Sequence, residues 1–462
     1  MTSPTNTAWP CWGMASTKAS HQGNRERNNS GVLCMLAEVE LFQESDPAPC
    51  MPLERMTLSA TGLPEDLLLD LILKTIYQRG PQTGFQLADN IRLPLTTIQE
   101  ILAEQRRLHV LEVLGSDRTA FGDGAYIYQL TESGRDRAAK AFLRSAYVGA
   151  APVPFDDYVA SVQSQSIQGI HITQNELGAG FSDLVLSDQV LDEVGPAVNA
   201  ASSVFFYGAA GNGKTSIATR MVRLLGDPIF VPYAIFTEGS IIEFFDPVVH
   251  TPVESTKARY DRRWVRVERP AVVVGGELTA EALDIHFNEQ RRTYQPPYQM
   301  KANCGMFLID DFGRQAMNPH HLLNRLIVPL ESKVDYLALM TGTKLEVPFD
   351  EIVVFSTNLE PSELADEAFL RRIKYKIHLE DPTMGEFRDI FKAVCPKFGI
   401  AFDEPAFQYL VQTHYKARGR PFRAVHARDL LDQIQAFSRY KDVRPAMTPP
   451  MMDAVVRTYF AD

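Results

Sequence analysis

Apolar positions repeat along this chain in two rhythms that alternate from block to block. Residues 64–79, PEDLLLDLILKTIYQR, keep helical spacing, with Glu65 and Asp66 in the first turn where they suit the positive end of a helix. Residues 84–91 and 95–108 predict two more helices. Residues 110–114 and 126–130 predict two strands around the turn-rich SDRTAFGDG, and Thr131 caps a closing helix. A second rhythm holds at 203–207 (SVFFY), 229–235, 306–311 (MFLIDD) and 353–355. These are short unbroken apolar runs, as strands buried on both faces require. From 380 to 462 helical spacing returns, through MGEFRDIFKAVC, PAFQYLVQTHYK, RAVHARDLLDQIQAFSRY and PPMMDAVVRTYF.

The segments between these blocks set the expected organisation. Residues 1–58 are rich in Ser, Thr, Asn, Pro and Gly and predict disorder, with a passing helix at 32–42. Residues 59–146 predict a small α+β domain, and 147–179 read as a linker, from GAAPVPFDDY through VQSQSIQG. A helical lead-in at 184–200 opens a larger α/β domain, 180–379. Within it, 237–301 is too long for a loop and predicts an insertion carrying Phe244, Phe245, His250 and a hairpin-like RRWVRVERPAVVVGGE. Packing of the insertion is the better reading of those aromatics, ahead of gripping a substrate. Residues 380–462 predict a helical domain.

Composition narrows the classes. At 462 residues, 45% hydrophobic and 22% charged, the chain suits a soluble protein of several domains. A net charge of −11 argues against coating nucleic acid or anionic membrane by bulk charge. No apolar run approaches the roughly 20 residues of a membrane helix. The start, MTSPTNTAWPCWG, has no secretory pattern, and the five cysteines form no C-x-x-C pair. A reducing cytoplasm is the expected location, with no membrane partner.

The chemistry centres on 208–215, GAAGNGKT, which fits G-x-x-x-x-G-K-[ST]. An apolar run before it and helical spacing in 216–225 supply the strand–turn–helix context the motif needs. Gly208, Gly211 and Gly213 let the backbone around Ala209, Ala210 and Asn212 curl so that N–H groups face a phosphate, and the helix through Ser216 adds its positive end. Lys214 would reach the β/γ-phosphates of ATP, and the Thr215 hydroxyl would help hold Mg²⁺. Asp310 and Asp311 end an apolar strand, a costly place for two acids unless they meet a cation or water. Asp310 would serve the Mg²⁺ and Asp311 the attacking water.

A GKT loop, a strand ending in acids and then a strand ending in S-T-N at Asn358 resemble Walker A, Walker B and sensor 1 of the AAA+ ATPases, over residues 180–445. The resemblance implies a three-layer αβα P-loop domain with a helical lid. It implies that Asn358 orients the lytic water, and that Arg371 or Arg372 in DEAFLRRIKYKIHL reaches a neighbouring subunit's nucleotide. It also implies a sensor 2 arginine, Arg428 or, failing it, Arg423, and a ring homo-oligomer, a hexamer by family habit, that remodels a protein client. Walker B is Asp-Asp here where most members have Asp-Glu, which bears on the hydrolysis rate. Residues 64–144 resemble a winged helix-turn-helix domain, but ten Lys+Arg against eleven Asp+Glu give no basic footprint. Protein docking is therefore favoured over DNA. The alternatives are an ATP-switched DNA-binding regulator and a nucleotide-binding adaptor with negligible turnover.

Overall fold

In a computed structural model the described residues are 51–253, 260–315, 317–364 and 367–460. The expected helix at 32–42 and most of the expected disordered start lie outside them. From Met51 the chain is anchored, which corrects the disorder expected through 58. The Pro52 carbonyl accepts the Asp261 N–H at 2.9 Å, and the Thr97 hydroxyl donates to the Arg55 carbonyl at 2.9 Å.

The N-terminal helices form at Glu65–Arg79, Gly84–Ile91, Leu95–Arg107 and Glu132–Arg144. Thr83 caps the second through a reciprocal pair with Gln86, and Thr131 caps the fourth at 3.1 Å to Gly134. Strands Leu111–Ser116 and Tyr126–Leu130 pair antiparallel, and Gln82–Thr83 adds a short third strand that sequence did not suggest.

A five-stranded parallel sheet carries the larger body. Its strands are β1 (Val204–Tyr207), β2 (Ala271–Val274), β3 (Met306–Ile309), β4 (Ile352–Ser356) and β5 (Tyr375–His378), in the spatial order β2-β3-β4-β1-β5. Alternate residues serve opposite faces. Val204, Phe206, Met306, Leu308 and Val354 pack against the helices Asp188–Asn199 and Lys214–Met221. Phe205, Phe307, Ile309, Val353 and Phe355 pack against Pro319–Ser332. The result is a three-layer α/β body.

The sheet topology corrects three expectations. The expected core strand at 229–235 is two strands that leave the central sheet: Ile229–Pro232 pairs with Trp264–Val267, and Ala234–Thr237 joins a second five-stranded sheet. The expected insertion 237–301 instead contains the edge strand β2, so it is not one unit. The hairpin expected around Trp264 is likewise absent, because Trp264–Val267 and β2 belong to different sheets. Phe244 and His250 are buried and stack at 5.6 Å, the packing role favoured from sequence.

The stretch 147–179 is not a free linker. Val153–Pro154 pairs with Ala234–Thr237, and Phe155–Ser164 and Gln174–Gly180 are helices. Gln165 exchanges side-chain bonds with both backbone groups of Phe230, and Asp350 takes the Ser166 hydroxyl and the Ile167 N–H at 2.9 Å each. Polar residues that suggest a linker thus satisfy buried backbone. The last residues form helices at Met384–Val394, Glu404–Leu410, Ala424–Lys441 and Pro449–Tyr459, with a π-turn at Val411–Tyr415.

Candidate functional site

The loop 208–213 joins β1 to the helix Lys214–Met221, and its glycines are obligatory for different reasons. Gly208, Gly211 and Gly213 have φ of 121°, 87° and 86°. A Cβ at Gly208 would come within 2.5 Å of the Leu379 carbonyl, and one at Gly211 within 2.5 Å of Val425 Cγ1. At Gly213 there is space but the backbone is left-handed. Ala209 is half-buried and Ala210 exposed along the turn, and Ser216 sits in the helix's first turn with its carbonyl accepting Arg220 at 2.9 Å.

Three elements converge on this loop. Lys214 is buried, and its ammonium donates to the carbonyls of Gly208 (2.8 Å) and Ala209 (2.9 Å) and to Asn358 Oδ1 (2.7 Å). Burial pushes the Lys214 ammonium below its ordinary value, against the pull of Asp310 and Asp311. The Thr215 hydroxyl donates to Asp310 Oδ2 at 2.7 Å. Asn358 Nδ2 lies 3.4 Å from Asp311 Oδ1, so this amide spans the lysine and the second acid. It can do so because β4 lies between β1 and β3. Asp311 holds φ of 48°, a left-handed turn that Asp tolerates better than most residues. Gln315, unremarked in the sequence, fastens that turn: it donates to the Asp310 carbonyl at 3.0 Å and accepts the Gly313 N–H at 2.8 Å.

The arginines separate. Arg372 is bound to Glu331 at 2.6 Å, whereas Arg371 is exposed. Arg428 has a side chain 68% exposed and turns to Asp429 at 3.0 Å. Arg423, second choice in the sequence, precedes the helix Ala424–Lys441 and forms an ion pair with Asp381 beside the loop. The next helix residue but one, Val425, donates its N–H to the Gly211 carbonyl at 2.9 Å. Asp381 was not singled out in the sequence. Its only signal there is an acid just after β5. Its Oδ1 also accepts Asn212 Nδ2 at 2.8 Å. Between these groups and the start of the helix Asp188–Asn199 lies a cleft of about 260 Å³, walled by Val185, Leu186, Ile217, Leu379 and Ile390.

The parallel sheet order, the glycine turn at the C-terminal end of β1 and the acids at the end of β3 define a three-layer α/β protein with its candidate site at that turn. Residues 383–458 match the model of a domain of unknown function, DUF8689. No curated protein matches the chain. Among solved structures, NtrX from Brucella abortus in complex with ATP is 14% identical over 58% of this chain, with a TM-score of 0.37, and 55% of that chain is covered. The RuvB Holliday junction branch migration motor of Thermotoga maritima is 14% identical over 60% of this chain and 70% of its own, with a TM-score of 0.35. Likenesses this low lie beneath the level that establishes a common fold, and the class stands on the chain's own sheet order.

Proposed function

We propose that this chain is an AAA+ ATPase that binds ATP with Mg²⁺ and uses hydrolysis to remodel a protein partner. The observation that carries the reading is the convergence of Lys214, the Thr215–Asp310 pair and the Asp311–Asn358 pair on one glycine turn. The residues suit the ligands. A hydroxyl and a carboxylate are the hard oxygen donors that Mg²⁺ takes, and the turn with its helix N-terminus suits phosphate. The metal would supply charge neutralisation on the phosphate oxygens. Lys214 would turn from the loop carbonyls to the phosphates. Asp311 would accept from the attacking water, with Asn358 holding it. Asp311 is one methylene shorter than Glu, so slow turnover is expected. The cleft between Val185 and Ile390, lined by apolar and polar side chains alike, would take the base.

Arg371 is the better trans finger, since it is exposed while Arg372 is engaged by Glu331 within the subunit. That role calls for a ring of subunits. Arg423, not Arg428, is the better lid sensor, for it lies at the loop. The N-terminal winged-helix-like body is assigned a protein partner. On its third helix the first-turn hydroxyls of Thr96 and Thr97 are held by the carbonyls of Met56 and Arg55, and Glu100 is exposed. A duplex would meet an occupied first turn and an acid.

The test is steady-state ATP hydrolysis with mass measured with and without nucleotide. Lys214→Ala should weaken ATP binding at least a hundredfold, and Asp311→Asn should retain binding and lose turnover. Unchanged affinity in Lys214→Ala would remove the phosphate-loop reading. Binding without turnover in the wild type would favour the adaptor.

A further inference from the structure

We propose that Asp381 is the positioning residue that lets this site tell a triphosphate from a diphosphate, and that it acts through Arg423. The inference rests on the nucleotide reading above and deepens it.

Asp381 lies in the hinge between β5 and the helix Met384–Val394. Its carboxylate is a junction of three bodies. It binds the Arg423 guanidinium from the lid, it accepts the Asn212 amide from the phosphate loop, and its own backbone follows the end of β5. The Asn212 amide nitrogen faces only acceptors: Asp381 Oδ1 at 2.8 Å, the Glu380 carbonyl at 3.1 Å and the Leu379 carbonyl at 3.4 Å. That set fixes which way the amide points.

Arg423 needs such a partner. A free arginine samples many rotamers and gives up that freedom on meeting an anion. A planar guanidinium paired through one nitrogen still offers the N–H groups of its others. Arg423 stands at the same loop, with its Cβ 3.8 Å from where a Cβ on Gly211 would lie, and its charge disfavours that of Lys214. The lid is also seated on the loop itself, since Val425 donates to Gly211 and fills the space where a Cβ would stand. An arginine anchored by Asp381 is therefore pre-aimed at the outermost phosphate and has little to offer a nucleotide that lacks it. Asn212, by contrast, shapes the loop that takes the inner phosphates, common to both nucleotides.

The experiment is equilibrium binding of a non-hydrolysable ATP analogue and of ADP to the full chain, by displacement of a fluorescent nucleotide. The readout is the ratio of the two affinities, beside a melting curve for each variant. Asp381→Asn and Arg423→Ala should each lower the triphosphate preference at least about fivefold, the lower end of coupling between sites, and the double variant should lower it no further. Asp381→Glu should restore part of the ratio. Asn212→Ala should weaken both nucleotides and leave the ratio as in the wild type. A wild-type ratio in Asp381→Asn, or additive losses in the double variant, would overturn the role of Asp381 while nucleotide binding stands. A wild type that binds neither nucleotide would overturn both.

Discussion

The two ends of the molecule are joined to its middle in opposite ways. The N-terminal helices share a core with the second sheet: Leu68, Ile72, Tyr147 and Ala151 belong to one buried cluster with Ala234 and Ile241. At the centre of that joint Arg263 is fully buried. It pairs with Asp261 at 2.7 Å and donates to the carbonyls of Thr61 and Pro152. The lid has a core of its own, drawn among the described residues from Phe387 to Val456 and taking nothing from the sheets. It meets the glycine loop through part-exposed polar contacts, one backbone bond and the single apolar side chain of Val425. A dry joint with a buried charge resists opening, because separation exposes apolar surface and strands the ions. A wet polar joint exchanges its bonds for water at small cost. The N-terminal body should therefore travel with the α/β body as one piece, and the lid should hinge.

The largest test strikes the dry joint. Arg263→Ala leaves Asp261 buried without its partner and should cost about 3–5 kcal/mol in urea denaturation. Limited proteolysis near Pro152 should rise with it. A wild type whose N-terminal body melts separately would break the comparison. Acid offers a test of intermediate size. His250 is buried and kept neutral, its native value pushed down to about 4 by burial, while its Nδ1 accepts the Asp246 N–H at 3.1 Å. Above pH 6.5 it is neutral in both states and contributes no pH dependence. Between 6.5 and 4 the unfolded chain takes a proton that the native chain refuses, so stability falls as pH falls, by about 3 kcal/mol at the low end. His250→Gln should flatten urea denaturation over that window. His426 in the lid is also held down to about 4, again chiefly by burial, but it is only half-buried, and His426→Gln should flatten the window less. The smallest test strikes the wet joint. Val425→Ala should cost under about 1 kcal/mol in denaturation, yet amide exchange in Ala424–Lys441 should quicken. Equal slowing of exchange in both bodies by nucleotide would count against a hinged lid.

What could be read from the sequence was local. A glycine turn between an apolar run and a helix fixes its own geometry, and two acids closing such a run can be placed without knowing the sheet. The helices expected at 64–79 and 423–440 follow from spacing alone and form at Glu65–Arg79 and Ala424–Lys441. What could not be read was partnership across long separations. AVVV at β2 alternates exposed and buried residues at a sheet edge, and nothing in those four letters says which sheet they join. The polar stretch 147–179 passed for a linker because its partners, Phe230 and Asp350, lie far along the chain. Sequence sets Arg423 and Arg428 near one helix start, whereas the bond from the Val425 N–H to the Gly211 carbonyl, which brings that start to the glycine turn, is tertiary.

The placement of β1 also orders events in time. Both of its neighbours, β4 and β5, come late in the chain, so a nascent polypeptide ending before Ile352 has nothing for β1 to pair with. The N-terminal helices and the second sheet find every partner earlier and can collapse while synthesis continues. The glycine turn after β1, written near the middle of the gene, is thus among the last turns to take shape.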